Sequence, residues 1–213
     1  LTIPYPIAED NAPSYVTNLK ATFDKDNTYG KVSFKAPAIT FAGEILEGEV
    51  TYHVSTGSTV IAEGTATPGE KVNVDVTGVE KQTNSYTVWT SNETGDGPKK
   101  NVEVYVGMDT PSYSLSNLKL EANGTGGLVL SWDALEGAHG GYIGDVTYNV
   151  LRNGEETVAE GLTEPEFTDN IGTPEQMTSY YYLVNAICGS KKVSGKSNAV
   201  TVGDHVNVPY STE

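Results

Sequence analysis

The sequence repeats itself, and this internal duplication constrains the fold more than any other feature. Pro13–Lys20 recurs as Pro111–Lys119, and Val50–Tyr52 recurs as Val146–Tyr148. The matching segments keep a nearly constant spacing of about 97 residues along the whole unit, which is the signature of tandem domains. At 213 residues the chain is long enough for two such domains, each able to bury a core of its own.

One segment of the second repeat shows the local pattern clearly. Val146, Tyr148 and Val150 fall on one side of a strand at period two, and Asn153–Gly154 follows where the chain has to reverse. An Asn-Gly pair suits a type I′ hairpin turn, since both central residues of that turn need positive φ. The segment therefore predicts a half-buried strand that enters a hairpin.

The same alternation predicts seven short strands in each repeat. Neither repeat shows an amphipathic helical pattern. Seven strands in about 95 residues are typical of an immunoglobulin-like β-sandwich, so we predict an all-β chain of two consecutive sandwiches. The domains are placed at residues 13–107 and 108–203, between an N-terminal linker at 1–12 and a C-terminal linker or following domain at 204–213. The predicted strands are 17–23, 31–36, 49–55, 59–63, 71–76, 85–91 and 101–106 in the first repeat, and 116–121, 127–132, 145–152, 156–159, 165–168, 179–187 and 198–202 in the second.

Composition excludes several classes of protein. The 13 Lys and Arg residues against 28 Asp and Glu give a net charge of −15, which repels phosphate backbones and anionic lipids. Nucleic acid and membrane insertion are therefore not expected, and no apolar run approaches the ~20 residues that span a bilayer. The single cysteine, Cys188, cannot form an internal disulfide, which excludes a disulfide-rich scaffold but not export.

Four segments of the second repeat follow one another as Leu130-Ser131-Trp132, Tyr148-x-Val150-x-Arg152, Tyr180-x-Tyr182-x-Val184-x-Ala186 and Ser197-Asn198-x-Val200. Through these segments the second repeat resembles the fibronectin type III domain along its whole length, and the first repeat does so more loosely. Phe34 replaces the family's tryptophan in the first repeat, and Asn84 stands opposite Tyr180, which leaves open which tyrosine makes the family's strand-corner hydrogen bond there. No Arg-Gly-Asp is present, so the integrin binding of some relatives is not implied.

The last eight residues resemble a different family. Val206–Glu213 is similar to the opening of the choice-of-anchor J domain, which follows such pairs in surface proteins of gut-dwelling Gram-negative bacteria. Leu1–Tyr5 has a similar cadence, so a linker motif that flanks each pair is the alternative. The sequence begins at Leu1 without Met and stops in mid-pattern at Tyr210–Glu213, so we expect a fragment or processed form of a larger protein. The resemblance implies that this larger protein is bacterial and is extracellular or on the outer cell surface. Its partners would be the neighbouring domains of the same parent chain.

The two tryptophans are predicted to lie in different environments. Trp132 alternates with Leu130 and stands where the family keeps its core tryptophan, so we expect it to be buried against Tyr148. Trp89 points to the opposite face of its strand from Tyr86, which leaves burial under a neighbouring domain or exposure to solvent as alternatives. The predicted core consists of Trp132, Phe34, Tyr148, Tyr52, Tyr182, Tyr86, Leu118 and Leu19.

The best candidate binding segment is the glycine-rich loop 134–144. Its four glycines permit an extended, adaptable loop, and Tyr142 offers a ring that stacks on a sugar or on a protein side chain. The competing interpretation is that Tyr142 and Ile143 plug the end of the sandwich. The first repeat carries Phe41 and Ile45 in the corresponding loop, and the candidate binding residues are His139, Tyr142, Phe41 and Trp89.

Motifs for catalysis and metal binding are absent from the sequence. His53, His139 and His205 lie in separate segments without His-Glu-x-x-His or Cys-x-x-Cys spacing, so no zinc site is expected. Asp24 and Asp26 alternate as in calcium loops, but the Gly and the bidentate Glu of such loops are missing, which favours a solvated turn. No G-x-S-x-G elbow activates a serine, so neither a catalytic residue nor a cofactor is predicted.

From these observations we expect a non-catalytic spacer or presentation module of a larger exported or cell-surface bacterial protein. The first alternative is an adhesion or recognition module that binds a surface glycan or protein through the loop around Tyr142. The second alternative is an accessory region of a secreted hydrolase, whose activity would reside outside these residues.

Overall fold

The computed structural model describes residues 9–25 and 27–204, and all regular elements in that part of the chain are β-strands. Among these residues, the first compact unit comprises residues 9–109 together with His139–Tyr142, and the second comprises Thr110–Ala138 with residues 143–204. The segments Leu1–Tyr5 and Val206–Glu213, together with His205 and Asp26, lie outside the described residues. In the described part of the chain, no helix is long and apolar enough to cross a membrane.

The first unit is a sandwich of two antiparallel sheets. One sheet has the strand order β1-β2-β5, and the other has the order β4-β3-β6, with β8 paired along the first half of β6 and β7 along its end. This is the arrangement of an immunoglobulin-like sandwich, to which β7 adds a strand of two residues. The strands are β1 (Thr17–Phe23), β2 (Tyr29–Lys35), β3 (Val50–Thr56), β4 (Thr59–Ala66), β5 (Lys71–Thr77), β6 (Gln82–Asn92), β7 (Gly95–Asp96) and β8 (Lys100–Val106).

Alternating side chains build the core of the first unit. The valines of β5 are buried while the residues between them are exposed, because successive side chains of a strand point to opposite faces. Phe34 and Tyr86 are buried, as predicted. Tyr52 and Leu19, also predicted as core residues, pack against the same core and are partly buried.

The second unit repeats this plan. Its two main sheets have the orders β9-β10-β13 and β12-β11-β15-β16, and β14 pairs with β17 in a small third sheet. The chain therefore folds into two immunoglobulin-like sandwiches, as the duplication predicts. The strands are β9 (Lys119–Ala122), β10 (Gly127–Ser131), β11 (Val146–Arg152), β12 (Glu156–Leu162), β13 (Glu166–Asn170), β14 (Thr178–Tyr180), β15 (Tyr182–Cys188), β16 (Lys191–Lys196) and β17 (Val200–Val202).

The predicted contact between Trp132 and Tyr148 is confirmed in the core of the second unit. Their ring centroids lie 5.2 Å apart at an interplanar angle of 67°, an edge-to-face arrangement. The Tyr148 hydroxyl accepts a hydrogen bond from the Leu135 N–H at 2.9 Å, which satisfies its buried oxygen. Tyr182 is also buried, whereas Leu118 packs against this core only partly buried.

The hairpin predicted at Asn153–Gly154 is confirmed as well. Asn153 has φ 51° and Gly154 has φ 79°, as a type I′ turn requires of its central residues. The Glu155 N–H donates to the Arg152 carbonyl at 3.1 Å and closes the turn between β11 and β12.

The strand predicted at 179–187 is interrupted at Tyr181. β14 pairs with β17, whereas β15 pairs with β11 and β16. The Tyr181 carbonyl accepts a hydrogen bond from the Asn153 N–H at 2.8 Å, and the Tyr181 N–H donates to Asn153 Oδ1 at 3.2 Å. The apolar alternation of the sequence continues from Tyr180 to Tyr182, so it does not reveal that the strand is interrupted. The interruption is caused by Asn153, a turn residue distant in sequence.

The end of the second repeat also differs from the prediction. The strand predicted at 198–202 is β17, which begins at Val200, and the preceding strand β16 was not predicted. Ser197, Asn198 and Ala199 separate the two strands. Ser197 Oγ accepts from the Tyr182 N–H at 2.9 Å, and the Asn198 side chain bonds both the N–H and the carbonyl of Leu120. These side chains replace ladder bonds where the strand breaks.

Tyr86 makes the strand-corner hydrogen bond of the first unit. Its hydroxyl donates to the Thr77 carbonyl at 3.1 Å. Asn84, the counterpart of Tyr180, instead bonds both the N–H and the carbonyl of Val79 at 2.8 Å through its side-chain amide. The sequence left this assignment open because an asparagine, Asn84, stands where the second repeat has Tyr180.

Candidate binding surfaces

The four predicted binding residues fall into three clusters. His139 and Tyr142 lie together in the first unit with Tyr105 and Asp109. Trp89 packs with His53 and Lys99 on the outer face of β6, and Phe41 packs with Tyr15. The structure therefore brings two of the four residues into one site.

Asp109 organises the first cluster, which consists of Tyr105, Asp109, His139 and Gly141 and is called the Asp109 cluster below. The Asp109 side chain is wholly buried. Its carboxylate accepts hydrogen bonds from the N–H groups of His139 and Gly141 at 2.8 and 3.0 Å. His139 Nδ1 lies 2.9 Å from the other carboxylate oxygen. A carboxylate that accepts several N–H donors in this way holds the loop in one conformation.

Gly141 is required by close approach in this cluster. A Cβ at position 141 would lie 2.5 Å from the Tyr105 ring and 2.9 Å from the Asp109 Cβ. The Tyr105 ring itself stacks on His139, with centroids 5.0 Å apart at 12°. The sequence suggested that the glycines make the loop adaptable, but at Gly141 the glycine serves tight packing instead.

Tyr142 is half-buried beside the Asp109 cluster. Its carbonyl accepts from the Asp109 N–H at 2.7 Å, and its backbone pairs with Met108 in a parallel bridge. Lys25 Nζ lies 5.8 Å from the centre of the Tyr142 ring. Ile143, the next residue, packs against the core of the second unit. Backbone and ring of Tyr142 are thus engaged by residues of the first unit.

Trp89 lies on the outer face of its sheet, as predicted, but it is only 7 % exposed. His53 stacks on the indole with centroids 4.8 Å apart, and Lys99 Nζ lies 4.1 Å from the ring centre. The sequence left a neighbouring domain or solvent as the alternatives for the environment of Trp89. The side chains that cover the indole belong instead to the same sandwich. The indole N–H has no hydrogen-bond partner among the described residues, so the ring is held by stacking and cation–π contact.

His53 also links Glu63 and Ser91 across three strands. Glu63 Oε1 lies 2.8 Å from His53 Nδ1, and Ser91 Oγ lies 2.8 Å from His53 Nε2. The order serine, histidine, carboxylate is that of acyl-transfer triads. Sequence reasoning missed this chain of hydrogen bonds, since only the register of β3 with β4 and β6 brings the three residues together.

Acyl transfer also needs N–H donors aimed at a developing oxyanion, and the backbone at Ser91 is committed elsewhere. Ser91 pairs with Thr51 of β3 on one side and with Asp96 of β7 on the other. The His53 side chain is largely covered by Trp89 and its neighbours, with 15 % of its surface exposed. We therefore interpret the chain of hydrogen bonds as a connection between β4, β3 and β6.

Four exposed apolar side chains of the first repeat occur in two pairs and are together called the Phe41 patch. It consists of Tyr15, Ile39, Phe41 and Ile45. The Tyr15 and Phe41 rings lie 6.5 Å apart, and Ile39 and Ile45 pair in an isolated antiparallel bridge. Tyr15 is 48 % exposed, Phe41 40 % and Ile45 82 %. Phe41 was predicted as a binding residue, and its neighbours give it an apolar surrounding.

Cys188 offers no reactive thiol in the folded protein. It is buried, and its Sγ donates to the Ile143 carbonyl at 2.8 Å. Burial, with the nearby charge of Asp145, raises the pKa of the thiol. In residues 9–25 and 27–204, no group of three or more His, Cys, Asp or Glu side chains is placed to hold a metal ion.

Comparisons with known proteins find similarity at the level of structure only. No family model and no curated protein matches the sequence. The solved structures that resemble the chain include arrays of fibronectin type III domains. The FN1–FN3 domains of chicken CNTN1 share 14 % identity over 90 % of this chain and 67 % of that chain, with a TM-score of 0.37. The central fibronectin-III array of RIM-binding protein shares 12 % identity over 93 % and 67 %, with a TM-score of 0.47.

Proposed function

We propose that this chain is a non-catalytic spacer and presentation module of a larger exported or cell-surface bacterial protein. The observation that carries the proposal is that the Asp109 carboxylate is bound by three groups of the loop. In the loop that the sequence offers as a binding segment, the N–H groups of His139 and Gly141 and one histidine nitrogen all bind this buried carboxylate. His53 is likewise committed to Glu63 and Ser91. The polar groups best suited to hold a ligand are therefore used to hold the fold.

Two further features support a mechanical role. Each unit has a separate core, one built around Phe34 and Tyr86 and the other around Trp132 and Tyr148. The net charge of −15 keeps such a module solvated and disfavours non-specific adhesion. The exported context is an inference from the resemblance of Val206–Glu213 to the opening of an anchor-type domain.

The test is single-molecule force spectroscopy on the chain placed between inert handle domains. We expect two unfolding events, each releasing roughly 300 Å of chain, because about 95 residues extend by ~3.3–3.6 Å each. Trp132→Ala should remove or weaken one event and leave the other, because it opens a cavity in only one core. A chain that extends without resisting force would contradict the spacer role.

A recognition role remains the second candidate because the His139 side chain is 56 % exposed beside Tyr142. The matched experiment compares Tyr142→Ala with Tyr113→Ala, since Tyr113 is almost fully exposed and lies outside the loop. A glycan-array or pull-down signal that is lost in Tyr142→Ala and kept in Tyr113→Ala would establish recognition through the loop. Equal signals in both variants would eliminate it.

A further inference from the structure

The chain contains two Asn-Gly pairs, Asn123–Gly124 and Asn153–Gly154. Asparagine is a chemically labile residue, and a following glycine leaves its own backbone nitrogen unshielded because it carries no side chain. That nitrogen can attack the Cγ atom of the asparagine side chain and close a cyclic imide. Since the two pairs are chemically the same, a difference in their reactivity has to come from the residues around them.

Asn123 lies in the turn between β9 and β10, and its side chain reaches forward over the peptide bond that follows it. Asn123 Oδ1 accepts hydrogen bonds from the Thr125 N–H at 2.9 Å, from Thr125 Oγ1 at 3.0 Å and from the Gly127 N–H at 2.9 Å. Because these donors follow Asn123 in the chain, they hold the side-chain carbonyl on the side of the Gly124 nitrogen. Within residues 9–25 and 27–204 the Gly124 N–H has no hydrogen-bond acceptor, so it is not directed away from that carbonyl.

The three donors to Asn123 Oδ1 are placed as in an oxyanion hole. Attack on Cγ places a negative charge on Oδ1, and donors about 2.7–3.1 Å from such an oxygen stabilise the charge. All three donors to Asn123 Oδ1 lie within this range. The turn therefore combines a polarised carbonyl, a neighbouring nitrogen nucleophile and the groups that stabilise the intermediate.

Asn153 has a different arrangement, although it also lies in a turn. Its Oδ1 accepts from the Tyr181 N–H at 3.2 Å, and its N–H donates to the Tyr181 carbonyl at 2.8 Å. The side chain is thus held toward a distant segment and not over the peptide bond that follows it. Gly154 is also covered, because a Cβ there would lie 3.1 Å from the Tyr181 hydroxyl and 3.3 Å from Leu183. A Cβ at Gly124 would meet open space.

We propose that Asn123–Gly124 is a site of spontaneous deamidation in the folded protein, and that the fold protects Asn153–Gly154. The Gly124 nitrogen gives its proton to a solvent base and forms a bond to Asn123 Cγ. The bond between Cγ and Nδ2 breaks, and Nδ2 takes up a proton and leaves as ammonia. Water then opens the cyclic imide at one of its two carbonyls, which leaves an aspartate or an isoaspartate in place of the asparagine.

The modification would change the β9–β10 end of the second sandwich. An aspartate keeps the oxygen that accepts the three hydrogen bonds, so it adds a negative charge and preserves the turn. An isoaspartate adds a methylene group to the main chain beside Gly126, whose carbonyl accepts from the Gly172 N–H at 2.9 Å. Gly124 and Gly126 also line an open pocket of about 290 Å³, whose shape depends on this turn. The inference goes beyond the spacer role, since it gives the module a chemical state that depends on its age.

Peptide mapping by mass spectrometry of the folded wild-type protein, incubated at mildly alkaline pH, tests the proposal. Asn123 should convert at least about tenfold faster than Asn153, since even one well-placed oxyanion donor contributes a factor of this size or more. Labelling by an isoaspartyl methyltransferase identifies the isoaspartate fraction. In strong denaturant the two pairs should convert at similar rates, because only the fold distinguishes them. A folded protein in which Asn153 converts as fast as Asn123, or in which neither converts, would overturn the proposal.

Thr125→Val separates activation by the donors from mere exposure of the turn. The variant lacks the hydroxyl donor and keeps the N–H, so conversion of Asn123 should slow about tenfold. A turn that reacts only because it is exposed would react at the same rate or faster in the variant, which would contradict the proposal. Thr157→Val is the matched control, because Thr157 is an exposed threonine in the strand that follows Asn153, and it should leave both rates unchanged. Circular dichroism verifies that both variants are folded.

Discussion

At the scale of single residues, Asp169 is the polar centre of the second unit. Arg152 donates to it through Nε at 2.8 Å and through Nη2 at 2.9 Å, and the Tyr182 hydroxyl donates at 2.7 Å. The three residues come from β13, β11 and β15, so they connect the two sheets of the sandwich. Asp169 is buried, which makes these charge-assisted bonds costly to lose.

Removal of this carboxylate should destabilise the second unit. Asp169→Ala leaves the partly buried Arg152 guanidinium without its main counter-charge, which costs about 3 kcal/mol. Glu156→Ala is the matched control, because Glu156 pairs with the same arginine but its side chain is 65 % exposed, and its loss should cost less than about 1 kcal/mol. Urea unfolding followed by circular dichroism measures both, and similar losses of stability would contradict the central role of Asp169.

Two buried tyrosines should make stability fall at high pH. Burial raises the pKa of Tyr86, and burial together with the hydrogen bond to Asp169 raises the pKa of Tyr182. In the unfolded chain both phenols ionise near pH 10, so the unfolded state loses protons that the folded state keeps. The free energy of unfolding is therefore expected to decrease as pH rises above about 10.

Denaturant titrations between pH 8 and 11 measure this decrease. Tyr182→Phe removes one of the two shifted groups and should make the slope of stability against pH shallower. The wild type in strong denaturant gives the reference titration of the unfolded phenols by absorbance. An unchanged slope in Tyr182→Phe would show that this phenol does not contribute.

At the scale of elements, a glycine determines how β3 and β4 pack. Gly64 of β4 pairs with Tyr52 of β3, and a Cβ at position 64 would lie 2.6 Å from a carbon of the Tyr52 ring. The tyrosine ring therefore lies flat over the glycine, which partly explains why Tyr52 reaches only the margin of the core. Close approach of a side chain is one of the few reasons for a glycine inside a strand.

Gly64→Ala should cost about 1–3 kcal/mol of stability in the first unit, because the added methyl displaces the Tyr52 ring. The same substitution in a Tyr52→Ala background should cost much less, since nothing then occupies the space. Thermal or urea unfolding of the two single variants and the double variant measures the coupling. Additive losses would mean that the ring does not press on the glycine.

Elements also show where sequence reasoning succeeds. The Asn153–Gly154 hairpin and the strand β1 were predicted correctly because adjacent residues carry the whole signal. The interruption at Tyr181 was missed because its cause, the hydrogen bonds with Asn153, involves residues far apart in sequence.

The candidate site was likewise predicted only in part. His139 and Tyr142 were predicted, but their partners Tyr105 and Asp109 were not, since both lie about 30 residues or more away from the loop in sequence.

At the scale of the whole molecule, the excess of acidic residues governs solution behaviour. The isoelectric point near 4.5 implies that repulsion between molecules vanishes there and is strong at neutral pH. We expect a solubility minimum near pH 4.5 and no retention on immobilised DNA at pH 7. Turbidity measured between pH 3 and 8 gives the minimum, and solubility independent of pH would contradict the expectation.

The sequence alone determined the number of sandwiches, the strands that alternate, the hairpin turn and the burial of Trp132 against Tyr148. These features depend on side-chain period and turn chemistry, which are properties of neighbouring residues, and the number of sandwiches follows from the internal repeat. Only the tertiary structure decided what covers Trp89, what joins Ser91, His53 and Glu63, and what holds the His139–Tyr142 loop. Those contacts depend on the register between strands and on which distant segments meet, and a one-residue change of register would place every such side chain on the other face.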